Sequence, residues 1–238
     1  MRYKIASLAA AAIVLGGVQI APAADMAVKA PPMVAPVALY NWTGIYVGIN
    51  GGFGWGNSTF FYDPVGPDVG HRDSGALFGG TVGFNYQFNG PWVLGAEADW
   101  DWANIKGSSS CPNPAFNCDT KLRSLGTLRA RGGYAVNNLL LFVTGGVAWG
   151  NERVETVNLA GLAIPPSGTP TNGTTATHAG WTAGFGAEYA LWNNWSIKGE
   201  YLYVNLGNHT YTVDNGLLVE SRQRENIVRF GLNYRFMP

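Results

Sequence analysis

The amino-acid sequence predicts an all-β fold: an eight-stranded antiparallel transmembrane β-barrel with short periplasmic turns and long extracellular loops. Three observations carry that expectation. Hydrophobic residues make up 47% of the 238 and charged residues only 13%, yet mean hydropathy is +0.01. A soluble domain carries about 25% charged residues, and a helical membrane protein needs ~20 consecutive apolar residues per span; beyond the N-terminus no such run occurs. From Tyr40 onward the apolar residues recur with a period of two, the pattern of strands with one apolar face. Finally, the links between these segments alternate between short and long, as they do in outer-membrane barrels.

In chain order, Arg2 and Lys4 precede an Ala-rich apolar stretch from Ile5 to Ile20, and Ala21-Pro22-Ala23 forms a small-residue cleavage site. Residues 1–23 are therefore expected to be a signal peptide. Residues 24–40, with Pro31, Pro32 and Pro36, are expected to form an extended periplasmic leader, and 41–238 the barrel. Eight segments then suit strands: Trp42 to Gly54, Gly75 to Phe88, Trp92 to Ile105, Lys121 to Val136, Leu139 to Asn151, His178 to Leu191, Trp195 to Gly207 and Ser221 to Phe236.

In the third segment Trp92, Leu94, Ala96, Ala98, Trp100 and Trp102 share one face, while Val93, Gly95, Glu97, Asp99 and Asp101 share the other. In the last, Val228, Phe230, Leu232, Tyr234 and Phe236 alternate with Arg229, Gly231, Asn233 and Arg235. One face suits lipid and the other a polar lumen, with aromatics at the ends of the apolar stripe. In the first segment Ile45, Val47 and Ile49 share a face, and Trp42 lies on the other. Asn89-Gly90-Pro91, Asn137-Asn138 and Trp192-Asn193-Asn194 are short turns. The long links run around Trp55 to Ser74, Lys106 to Thr120, Glu152 to Thr177 and Asn208 to Glu220. The 33 glycines fit a narrow barrel, where inward Gly leaves room for long side chains from neighbouring strands.

The inward face collects Glu97, Asp99, Asp101, Glu188 and Glu200 against Arg129, Arg131, Lys198, Arg229 and Arg235. Carboxylate clusters of this kind serve acid-base or cation chemistry in other settings. Matched signs favour a salt-bridge network filling a lumen just wide enough for its own side chains. Glu97, Asp99 and Asp101 on the third strand are expected to face Arg129 and Arg131 on the fourth. Such a lumen excludes a soluble ligand-carrying barrel, which needs an apolar interior. Cys111 and Cys118 bracket a turn-rich octapeptide, and in an oxidising compartment they are expected to form a disulfide within the second long link. His71, His178 and His209 fall in or beside long links and are expected to be solvated. No Ser-His-acid set stands at a fixed spacing, so no enzyme, catalytic residue or resident metal is expected. A formal net charge of zero and pI of about 6.8 argue against a nucleic-acid partner.

Several motifs carry a family resemblance: Trp42-Thr-Gly-Ile-Tyr-Val-Gly, the run from Leu125 through Arg129 and Arg131 to Tyr134, Gly180-Trp-Thr-Ala-Gly184 with Glu188, Glu200-Tyr-Leu-Tyr203, and Arg229 to Phe236. Over essentially the whole mature chain the sequence resembles the small OmpA-like outer-membrane β-barrel family of alphaproteobacteria, which includes the 25 and 31 kDa surface antigens. The resemblance implies residence in the bacterial outer membrane and roles in envelope integrity, surface antigenicity and host or surface contact; no cofactor is expected. It also implies outer-membrane lipids, lipopolysaccharide and the barrel-assembly machinery as partners. Alternative expectations are a narrow porin-like diffusion channel, or a surface protein contacting haem or another small ligand through His71 or His209 with Tyr62 or Tyr211. Family barrels commonly end on a Phe read by the assembly machinery; here Phe236 is the assembly signal, followed by Met237 and Pro238.

Overall fold

A computed structural model describes residues 40–61, 69–111, 113–163, 169, 171–192, 194–213 and 217–236. The expected signal peptide, the leader up to residue 39, Tyr62, Met237 and Pro238 lie outside the described residues, as do the side chains of His209 and Tyr211. Eight strands follow one another: β1 (Gly44–Phe61), β2 (Val69–Phe88), β3 (Trp92–Ser110), β4 (Phe116–Val136), β5 (Leu139–Asn158), β6 (Thr171–Trp192), β7 (Trp195–Val213) and β8 (Leu217–Phe236). Each pairs antiparallel with its sequence neighbour, and β1 pairs with β8, closing one barrel. Closure removes the sheet edges, so the strands satisfy one another's N–H and C=O groups, as hydrocarbon requires.

Parity decides which side chains meet lipid. On β8, Arg235, Asn233, Arg229, Ile227, Glu225 and Gln223 are buried, whereas Phe230 between them is 70% exposed. On β1 the exposed large apolar side chains are Ile45, Val47, Ile49, Phe53 and Trp55, whereas Tyr46, and Trp42 just before the strand, are wholly buried. Large apolar side chains facing outward are what a hydrocarbon solvent selects. Aromatic pairs mark both ends of this band: Trp92 with Tyr134 and Trp195 with Tyr234 near the short turns, Phe78 with Trp102 and Trp181 with Tyr203 at the far side. Trp92 and Trp102 stand about ten residues apart, roughly 33 Å of strand. At the usual tilt of about 35–45°, that length suits an apolar band of ~25 Å.

The short turns lie where their residue types require. Asn89 and Asn137 adopt positive φ (45° and 54°), with Gly90 at 81°, in the left-handed region that Asn and Gly tolerate best. Each turn is tied to the next hairpin by a backbone hydrogen bond: Ala135 N–H to Pro91 O, Ala190 N–H to Asn138 O, and Arg235 N–H to Asn194 O. At the opposite end the structure corrects the expected boundaries. Strand pairing continues beyond Gly54, Ile105, Asn151 and Gly207, and begins before Gly75, Lys121, His178 and Ser221. Much of each expected long loop is therefore ladder. Apolar alternation stops where the hydrocarbon stops, but hydrogen bonding between paired strands does not depend on lipid and runs on into water.

Two glycines show how a lumen this narrow is packed. A Cβ on Gly83 would strike the Tyr46 phenol, and one on Gly79 would strike the Asp101 carboxylate. Both of these polar side chains lie across the inner wall only because Gly faces them.

Candidate functional site

The candidate site is the barrel interior, which is stacked in layers along the strands. From the short-turn end, β3 turns inward Val93, Glu97, Asp99, Asp101, Ala103 and Ile105; β7 turns inward Ser196, Lys198, Glu200, Leu202, Val204 and Leu206. An apolar floor comes first, built from Trp42, Val93, Leu140, Phe142 and Ala190. Above it lies a charged belt, then an apolar cluster that includes Leu77, Ile105, Leu122, Leu125, Leu202 and Ile227. A polar layer with Ser58, His71, Asp73, Thr120, Gln223 and Glu225 stands at the extracellular side.

The structure places all ten charged residues singled out in the sequence in the lumen, and all ten are buried. Arg229 is the hub. Its Nε donates to Glu200 at 2.8 Å and its Nη1 to Asp101 at 2.6 Å, while its Nη2 contacts Asp99 at 2.9 Å. Arg129 contacts Glu97, Asp99 at 2.8 Å and Glu200 at 2.8 Å. Lys198 bridges Glu97 at 2.9 Å and Glu200 at 3.0 Å. Five carboxylates against five cations leave the belt neutral, which is how buried charge persists.

Adjacent-strand pairing accounts for only part of this belt. Glu97 lies opposite Arg129 in the β3–β4 register and contacts it. Arg131 instead reaches Glu188 on β6 at 2.5 Å, with Glu97 farther off at 3.8 Å. Asp101, expected to face the arginines of β4, is paired with Arg229 on β8. In a closed narrow barrel the shortest route for a long side chain is across the lumen, not along the wall. Arg235 closes the periplasmic mouth: its guanidinium sits 4.9 Å from the Trp42 ring centroid, donates to the Trp42 carbonyl, and approaches Glu188 at 3.6 Å.

Sequence reading missed several members of this interior. Tyr46 donates from its hydroxyl to Glu97 at 2.7 Å and accepts from Arg131 at 3.2 Å. Thr127 donates to Asp99 at 2.7 Å, and Ser196 to Glu188 at 2.6 Å. Their parity matches that of the charged residues, so the alternation itself held the signal. The apolar cluster was missed because its Leu, Val and Ile side chains interrupt a face that otherwise reads as polar.

Two histidines require a correction. His71 and His178 are not solvated loop residues: they face inward on β2 and β6, with 8% and 6% exposure. Strand extension past the membrane surface carries both into the upper interior. His71 Nε2 lies 2.6 Å from Thr120 Oγ1 and 3.1 Å from Asp73 Oδ1, and Ser58 donates to the same carboxylate. This ring is engaged inside the wall and is not displayed for a haem or metal contact; Tyr62 and the side chains of His209 and Tyr211 fall outside the described residues. His178 Nε2 lies 3.8 Å from Glu152. Replacing His71 with Ala is expected to cost about 1–3 kcal/mol, because buried hydrogen-bonding groups lose their partner. Urea unfolding of the refolded protein in lipid vesicles measures it, and an unchanged midpoint would return the ring to solvent.

Cys111 and Cys118 form a disulfide with Cα atoms 5.2 Å apart. Cys118 belongs to β4, so the bridge clamps the tip of the β3–β4 hairpin, where Cys111 N–H also donates to Phe116 O at 3.0 Å. Phe236 ends β8 on the outward side, half exposed and paired with Ile45.

Comparison with known proteins agrees with this architecture. The family described as "Outer membrane protein beta-barrel domain" matches residues 10–236. The 31 kDa outer-membrane immunogenic protein of Brucella melitensis is 39% identical over 230 residues, covering 91% of this chain and 93% of the relative. The 25 kDa outer-membrane immunogenic protein of Brucella canis is 30% identical over 218 residues, 90% of each. Among solved structures, the outer membrane protein OprG from Pseudomonas aeruginosa is similar at 12% identity and a TM-score of 0.47, covering 82% of this chain and 98% of that one. Both of these Brucella relatives are named as immunogenic proteins, not as enzymes. With a closed eight-stranded barrel, a lipid-facing apolar band and relatives matched over nine-tenths of its length, the chain belongs to the outer membrane protein β-barrel domain family and is a surface-antigen-type protein of the bacterial outer membrane.

Proposed function

We propose that this protein serves as a structural barrel: it contributes to envelope integrity and presents its extracellular hairpins for host or surface contact. The observation that supports this reading is the lumen, which is filled by the apolar floor, the neutral charged belt and the apolar cluster in turn. A filled, charge-paired interior suits a wall element better than a conduit. On this reading residues 1–23 are the removed signal peptide, 24–40 the periplasmic leader, and Phe236 the residue met by the assembly machinery. The test has two arms. Purified protein in planar bilayers is expected to show no stable porin-sized conductance, and a deletion strain is expected to become more sensitive to detergent. A steady current would make diffusion channel the better description; unchanged detergent sensitivity would remove the envelope role.

A further inference from the structure

The polar layer at the extracellular side is charged differently from the belt below it. Among the described residues its buried carboxylates are Asp73 on β2, Glu152 on β5 and Glu225 on β8, and its histidines are His71 on β2 and His178 on β6. The other strands contribute nothing titratable to the described layer: Gly56 and Ser58 come from β1, Thr120 from β4, Val204 and Leu206 from β7. Arg72 and Arg224, which flank the acids in sequence, face outward and are exposed.

These carboxylates are not equivalent. Asp73 accepts hydrogen bonds from Ser58 and, at 2.9 Å, from Thr120, and lies 3.1 Å from His71 Nε2. Glu225 is wholly buried and accepts one long hydrogen bond, from Gln223 Nε2 to its Oε1 at 3.4 Å; its Oε2 has no hydrogen-bond partner. That oxygen lies over Gly56, where a Cβ would strike it, and Gly56 pairs in register with Glu225 on one side and Asp73 on the other. The charged groups acting on Glu225 are Asp73 and Glu152, both acids. Glu225 stands one residue beyond Asn226, the register partner of Tyr203 in the outer aromatic pair, and so on the water side of the apolar band. Burial, and then the negative charges of Asp73 and Glu152, push its carboxyl up to about 9. Just past the Glu225–Val204 pair the β7–β8 ladder shifts register between Asn205 and Asn208, so the wall is already irregular where this acid sits.

We propose that Glu225 is a proton-controlled latch at the extracellular end of the barrel: with its proton in place the upper ends of β8, β1 and β2 close around the polar layer, and its ionisation releases them. An ionised Glu225 would add a third negative charge to a buried layer with no donor for its second oxygen, a cost that admitting water relieves. In an opened, hydrated end the carboxyl titrates as an ordinary glutamate, near about 4.3. The closed end is therefore favoured in acid, and its advantage is lost progressively as pH rises from about 4.3 through the folded value. The latch goes beyond the envelope role and sets how firmly the hairpins above it are held.

The experiment follows hydrogen exchange by mass spectrometry on full-length, disulfide-intact protein refolded in lipid vesicles, with rates corrected for intrinsic exchange at each pH. Between pH 6 and 8 the protection of residues 222–225, 56–58 and 71–73 is expected to fall by about tenfold per pH unit, because opening then releases one proton. Protection of the belt segment 228–234 is expected to hold. Glu225→Gln keeps the shape and removes the ionisation, so it is expected to lose the slope, while the surface variant Asp119→Asn keeps it. His71 and His178 are retained in Glu225→Gln, and an undiminished slope in that variant would assign the response to them and overturn the latch. Constant protection in wild type overturns it without any variant, and so does an equal loss in the belt segment, which would mark global destabilisation. None of these outcomes bears on conductance or detergent sensitivity, so the latch and the envelope reading fail separately.

Discussion

Arg229→Ala is expected to destabilise the barrel by about 3–5 kcal/mol, the cost of leaving buried carboxylates without their cation. Arg229 is almost wholly buried and contacts Asp99, Asp101 and Glu200 at once, so truncation strips charge compensation from three acids in one step. Asp99 and Glu200 retain Arg129 at 2.8 Å each, and Glu200 also retains Lys198. Asp101 has its ion pair with Arg229, so removing both groups in an Arg229→Ala, Asp101→Ala double variant should recover part of the loss. Urea unfolding in lipid vesicles, with the mobility shift between boiled and unboiled gel samples as the folding check, measures both. An Arg229→Ala midpoint equal to wild type would mean that the belt contributes nothing to the wall.

The second large effect belongs to the other face. Phe230→Arg is expected to cost about 2–4 kcal/mol, because position 230 lies near the middle of the apolar band and its side chain is the most exposed large hydrophobic among the described residues. The penalty arises from moving a guanidinium into hydrocarbon, so it should shrink when the same substitution is placed at Phe236, beside the periplasmic aromatic belt. The gradient between the two positions is the diagnostic. Equal costs at 230 and 236 would mean that the outward face meets protein or water in place of a lipid slab.

These two substitutions are one residue apart and act through opposite environments, which is why so much of the fold was legible in the sequence. Alternation from Val228 to Phe236 already separated lumen from lipid, because a strand reverses its side chains at every step and two such different solvents select different residues. The short turns were legible in Asn89-Gly90 and Asn137 for a local reason, the left-handed backbone that few other residues tolerate. The Cys111–Cys118 disulfide was legible from its turn-rich spacing.

What the sequence concealed depended on closure. The separation of 128 residues between Asp101 and Arg229 has no local signature, and only the pairing of β1 with β8 brings these groups together across the lumen. His71 was hidden because no apolar alternation runs through Val69-Gly-His-Arg-Asp73, and burial there comes from strand pairing above the membrane. By itself the sequence determined strand number, facing and the lipid band, since each follows from a residue's nearest neighbours and its solvent. The tertiary structure decided which charges meet, where the apolar cluster sits and how far the ladder continues, because those contacts exist only once the sheet has curled onto itself.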